Sequence, residues 1–150
     1  MADLFPRALP VRIQRRRTPG FNLQDASRAI NGLPAVVVSR PTLLGNPFVI
    51  GEPSGFGFED GGDETPMVAA LTPEQSVEYY RLMIEGVMMP EMHPHGPRWM
   101  KRFREKVRGH DHPTDWVRAT LRGRNLACWC AVDFPFCHCL PLLEIANATH

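Results

Sequence analysis

All four cysteines of the chain fall within one segment, Cys128-Trp129-Cys130-Ala131-Val132-Asp133-Phe134-Pro135-Phe136-Cys137-His138-Cys139, directly after the apolar pair Leu126-Ala127. Whatever this chain folds into has to bring the end of one extended run and the start of the next element to a single place. In an extended run, period two puts Cys128 and Cys130 on one face and Trp129 on the other. The stretch from Cys130 to Cys137 is long enough for a turn that returns Cys137 and His138 beside them. A final helix is predicted over residues 140–146, with Pro141 tolerated in its first turn.

Thiolate and imidazole bind borderline metals and also act as nucleophile and base near neutral pH. The spacing admits three uses. Cys128, Cys130 and Cys137, with either His138 or Cys139, suit a four-ligand zinc site, although the paired C-x-x-C knuckles of a specific zinc motif are missing. Cys137 at a helix N-terminus, next to the His138 imidazole, suits a nucleophile with its acid or base. Ordinary buried cysteines, with His138 capping the helix, form the third use.

At 150 residues, with 43% apolar and 22% charged side chains, the chain has the composition of an ordinary globular domain, so a disordered or fibrous protein is excluded. One domain over residues 1–150 is the expectation. The net charge of +1 is uninformative, but its distribution is not: Arg12, Arg15, Arg16 and Arg17 cluster near the start, and Glu52, Glu59, Asp60, Asp63 and Glu64 form an acidic stretch. That stretch, Gly-rich over 51–66 and carrying Phe56 and Phe58, reads as a mobile loop. The opening residues lack the pattern of a secretory signal, and no run reaches the roughly 18 apolar residues of a membrane span. A cytoplasmic protein with reduced thiols and no membrane partner is expected.

Val11-Arg12-Ile13-Gln14-Arg15 alternates as a half-buried strand does, and Ala35-Val36-Val37-Val38 has the pattern of a strand buried on both faces. The stretch from Thr18 to Arg28 reads as loop or short helix. Thr72-Pro73-Glu74-Gln75 is a capping box with proline at N1, and Val77, Tyr80, Met83, Ile84 and Val87 recur at helical spacing as far as Pro90. The methionines near Met83 read as core filling. Residues 99–107 form a basic helix with Phe103 and Val107 inward, and Thr114-Asp115 starts another that Gly123 ends. Residues 125–129 return to a strand. The histidine pairs His93 with His95 and His110 with His112 read as loop residues. The sum is an α/β or α+β fold, with strand order open.

Arginine presents a planar fork of donors that matches phosphate oxygens. The expected ligand-binding residues are Arg12, Gln14, Arg15 and Arg40, the last directly after a buried strand, where α/β folds commonly bind ligands. Gly45-Asn46-Pro47-Phe48 adds backbone donors, an amide and a ring, although a turn serving structure alone fits the same four residues. An exposed basic edge is the alternative for the arginine segment.

The ordered motifs resemble an uncharacterised bacterial and phage family, domain of unknown function 4326. The matching residues are Arg12-Ile13-Gln14-Arg15-Arg16-Arg17-Thr18-Pro19-Gly20, Val37-Val38-Ser39-Arg40-Pro41 with Gly45-Asn46-Pro47-Phe48, Leu121-Arg122-Gly123, Leu126-Ala127-Cys128-Trp129-Cys130 and Cys137-His138. The resemblance implies one compact domain with the arginine segment, the Gly45 loop and the cysteines around one pocket. It implies no reaction, and since Cys139 stands at a commonly small position, the shared chemistry does not require it. The resulting expectation is a domain that binds a nucleotide or similar phosphate compound, with Cys137 and His138 as the reactive pair. Two alternatives stand beside it. One is a zinc-stabilised module that binds nucleic acid through residues 12–17 and 101–108. The other is a phage-encoded protein that engages a host factor through the acidic Phe56 and Phe58 loop.

Overall fold

Alternation along Arg12-Ile13-Gln14 turns one side chain inward, and Ile13 is the buried residue of the first strand, β1 (Arg12–Gln14). The computed structural model describes residues 8–54, 57–58, 68–89 and 96–148. After β1 come α1 (Leu23–Asn31), β2 (Ala35–Val37), β3 (Gly57–Phe58), α2 (Pro73–Ile84), β4 (Met88–Met89), α3 (Gly96–Val107), α4 (Pro113–Leu121), β5 (Asn125–Cys128) and α5 (Cys139–Asn147). Three strands form one parallel sheet in the order β1-β5-β2, with Ile13 opposite Ala127 and Val36 opposite Leu126. The parallel sheet decides for α/β. β3 and β4 make a separate antiparallel pair.

The last strand to be synthesised sits in the middle. All four residues of β5 are buried, whereas Val36 and Val37 of β2 are half-buried. The β-branched run, expected to be covered on both faces, is covered in part: Ala35 and Val38 are buried, Val36 and Val37 are half-buried, and β2 stands at an edge of the three-stranded sheet. α5 lies along β5 and β1, α4 packs on α5, and α1 packs on β2. Leu126, Val117, Leu121, Leu142, Tyr80 and Ile84 fill the core with no accessible surface. Each apolar side chain buried in this way stabilises the fold by about 1.5–3 kcal/mol.

Helix ends follow local chemistry. Thr72 caps α2, and the reciprocal bonds of its capping box to Gln75 are both made. α2 stops at Ile84, well before Pro90, because Gly86 takes φ +78°. Val87, expected on the inner face of that helix, therefore lies beyond its end and is 45% exposed. α1 begins at an Asn22 cap inside the stretch expected as loop or short helix and continues three residues beyond Arg28. His112, expected as a loop residue, caps α4 by accepting a hydrogen bond from the Thr114 amide, and Asp115 accepts from the His112 amide in return.

Asn125 begins the central strand and is fully buried. Its amide and that of Asn31 exchange hydrogen bonds of 2.8 and 2.9 Å, and it also donates to Ser27 Oγ and accepts from the Val11 amide. All of its hydrogen-bonding capacity ties α1 and the approach to β1 onto β5. The acidic residues 59–64, Phe56, His93 and His95 lie outside the described residues.

Candidate functional site

Three parallel strands end on the same side, and each delivers part of one site. From β1 the chain continues to Arg15, whose amide donates to the Cys128 carbonyl at 2.6 Å and whose guanidinium donates to Ser39 Oγ at 2.9 Å. From β2 it passes through Val38 and Ser39 to Arg40, which precedes a cis proline. From β5 it passes through Cys128 and Trp129 to Cys130. The guanidinium carbons of Arg15 and Arg17 lie 4.4 and 4.8 Å from the centre of the Trp129 ring.

The turn back from Cys130 is held from below. Arg12 donates to the Phe134 carbonyl at 2.7 Å and to the Val132 carbonyl, and Gln14 Nε2 donates to the Trp129 carbonyl at 3.4 Å. With these three bonds made, the turn sets Cys137 beside Cys128, sulfur to sulfur at 3.3 Å. Cys139, the first residue of α5, completes a buried group in which the sulfurs of Cys128, Cys137 and Cys139 all lie within 4.8 Å of one another. Cys130, at the start of the turn, is half-buried.

His138 is turned away from that group. Its ring donates from Nε2 to the Val38 carbonyl at 2.7 Å and stands edge-on to Tyr80. A carbonyl only accepts, so Nε2 carries the hydrogen. Hydrogen bonds from Cys128, then Cys130 and Cys139, hold Cys137 well below the usual thiol range against the effect of burial. Cys130 is pushed up by its bonds to Cys128 and Cys137 and by burial. Cys128 is drawn down by Cys130, but Cys137, Cys139 and burial outweigh this and raise it. Cys139 is lowered by Cys128 and raised on balance by Cys137 and burial.

Above these sulfurs opens a cavity of about 350 Å3 lined by Arg40, Ser76, Trp129, Phe134, Phe136 and His138 among others. Arg40 is exposed at its rim. Asn46 and Phe48 also line it, but their groups are engaged within the chain. The Asn46 amide donates to Ser76 Oγ at 2.9 Å and accepts from the Phe48 amide at 2.8 Å, while Phe48 is 1% exposed and meets Tyr79 edge-on. Gly45 has a steric role: a Cβ there would lie 2.7 Å from the Arg40 nitrogen.

Of the residues expected from sequence, Arg40 and the cysteine-histidine cluster meet around the cavity, while Arg12, Gln14 and Arg15 brace its walls. Ser39, Ser76, Trp129, Phe134 and Phe136 were missed. The two phenylalanines were legible as aromatic residues inside the turn between the cysteine pairs. Ser76 carried no signal, because only the packing of α2 on the 46–48 turn brings it there.

A family model described as a domain of unknown function, DUF4326, matches residues 21–148. The chain belongs to the DUF4326 family. The DUF4326 match takes in α1 to α5, Arg40 and every cysteine, while β1 and its arginines precede it. No curated protein and no solved structure matches the chain. Among the described residues of this DUF4326 chain, no helix is long and apolar enough to cross a membrane.

Proposed function

We propose that this domain binds a phosphate-bearing small molecule, nucleotide in class, at the carboxyl edge of its parallel sheet, over a cysteine cluster that holds a zinc ion. The observation that carries the ligand reading is Arg40. It leaves β2 at the strand end, where open α/β sheets bind ligands, and it lines a cavity whose other walls are aromatic. Its guanidinium has no hydrogen bond or ion pair among the described residues. Trp129, Phe134 and Phe136 offer apolar surface to a base, and the arginine offers donors to a phosphate.

The zinc reading rests on the sulfurs. Tetrahedral zinc at about 2.3 Å from each thiolate sets sulfurs about 3.8 Å apart. The separations of 3.3 Å and below 4.8 Å bracket that value. Cys128, Cys137 and Cys139 would hold the ion, with Cys130 closing the set, and bound zinc would contribute folding energy. His138, committed to Val38, is then a neighbour of the site and not a ligand.

One observation favours a second reading, in which Cys137 is a nucleophile and His138 its base: the imidazole is oriented by the Val38 carbonyl, as an activated pair requires. The 1% exposure of Cys137 counts against it. Titration calorimetry with a panel of nucleotides tests the ligand reading. Binding by the wild type that weakens about tenfold in Arg40→Ala supports it, and a panel without a binder removes it. Turnover of a bound nucleotide that survives Cys137→Ser would remove the nucleophile.

A further inference from the structure

Arg40 lines a second cavity as well, of about 370 Å3, together with Thr42, Gly45, Arg98, Trp99 and Arg102. Its charge is one-sided. Arg98 and Arg102 stand four residues apart on α3, both exposed, and among the described residues no carboxylate lines the groove. None of the three arginines has an ion-pair or hydrogen-bond partner among the described residues. Like charges at this helical spacing destabilise a helix by a few tenths of a kcal/mol. An anion bound between them would reverse the sign of that interaction.

The walls of the groove are fixed independently of any ligand. Trp99 Nε1 donates to the Leu43 carbonyl at 2.9 Å, which fastens α3 to the turn that follows Arg40, and within α3 its ring stacks on Phe103 at 4.5 Å. On the same turn Gly45 lies so close to the Arg40 backbone that no side chain fits between them. The backbone of Arg40 and the helix carrying Arg98 and Arg102 are therefore held relative to each other, which lowers the ordering cost of binding.

We infer that this groove is an anion subsite for the phosphate chain of a ligand whose base and sugar lie in the first cavity, so that the ligand is a nucleoside polyphosphate. Arg40 is the link, since it borders both cavities. Three guanidiniums match the roughly three to four negative charges of a di- or triphosphate, whereas Arg40 alone would serve a monophosphate. The placement of the base rests on the ligand reading of the first cavity; the phosphate subsite does not.

The test is titration calorimetry on the full chain and on the Arg98→Ala/Arg102→Ala double variant, whose fold is checked by circular dichroism. The probes are inorganic tripolyphosphate, a nucleoside monophosphate, the matching triphosphate and a series of single-stranded oligonucleotides. Tripolyphosphate is expected to bind the wild type and to lose about tenfold or more in the double variant. The triphosphate should bind more tightly than the monophosphate by a similar factor, with that advantage gone in the variant and monophosphate affinity unchanged. No binding of tripolyphosphate, or binding indifferent to the double variant, overturns the subsite. Equal affinity for mono- and triphosphate in both proteins overturns it while leaving the first cavity as a ligand site. Tripolyphosphate captured through Arg98 and Arg102 without any nucleotide binding keeps the subsite and overturns the ligand reading of the first cavity. Affinity for oligonucleotides that rises with length and exceeds that for the triphosphate overturns the small-molecule assignment.

Discussion

The sulfur of Cys128, at the end of the central strand, lies 3.3 Å from that of Cys137, just before the last helix. A disulfide would bring them to about 2.05 Å, so these are two thiols in contact, with Cys139 beside them. Elemental analysis of protein purified without a histidine tag is expected to find one equivalent of zinc. Thiol titration should find the four cysteines protected until a chelator is added. Metal-free protein in which one thiol reacts far faster than the others would exclude the zinc site and favour the nucleophile.

Arg12 reaches from the first strand to the carbonyls of Val132 and Phe134 and so holds the turn between the cysteine pairs. Hydrogen bonds from a charged donor contribute about 1.5–3 kcal/mol each. Arg12→Ala should lower stability in urea by about 2 kcal/mol and speed the loss of zinc to a chelator. A variant that keeps both properties would show that the turn holds itself.

Asn125 is buried with Asn31, Ser27 and the Val11 amide as its partners. Truncation to alanine leaves these groups without their partner, at a cost of about 1–3 kcal/mol for each buried group left unsatisfied. Asn125→Ala should lower the calorimetric Tm by several degrees. Asn125→Asp should do the same, since it replaces the donor facing Asn31 Oδ1 with an acceptor. A Tm unchanged in both variants would mean that water replaces the lost bonds at no cost.

Gly45 separates the Arg40 backbone from the turn by less than the space of a methyl group, with the nearest atoms at 2.7 and 2.8 Å. Because those atoms are backbone, Gly45→Ala has no side chain to push aside. A loss of about 3 kcal/mol is expected, the upper end for overpacking, together with weakened ligand binding through displaced Arg40. Chemical denaturation reads the first effect and calorimetry the second; a variant as stable as the wild type would show that the loop moves freely.

Where a feature depended on neighbours in the chain, it was legible. The Thr72 and Gln75 capping box, the glycine stop at Gly123, the strand leading into Cys128 and the helix with Pro141 in its first turn all stand where local patterning puts them. The zinc-compatible segment was legible for the same reason, since its cysteines are close in sequence. The orientation of His138 was not legible: it is adjacent to both Cys137 and Cys139, and the Val38 carbonyl, a hundred positions away, is what turns it aside.

The arginines show the division most clearly. Their guanidiniums are chemically alike, so the sequence by itself determined only that arginines were present near β1 and after β2. Tertiary structure decided which of them face a cavity. Arg12 and Arg15 are occupied by Phe134 and Ser39 because β5 inserts between β1 and β2, while Arg40 is left open at the strand end. Capping and turn preferences act over a few residues of backbone and can be read in order along the chain. Sheet order, and with it the partner of each long side chain, is set by burial of surfaces far apart in sequence, which no local pattern records.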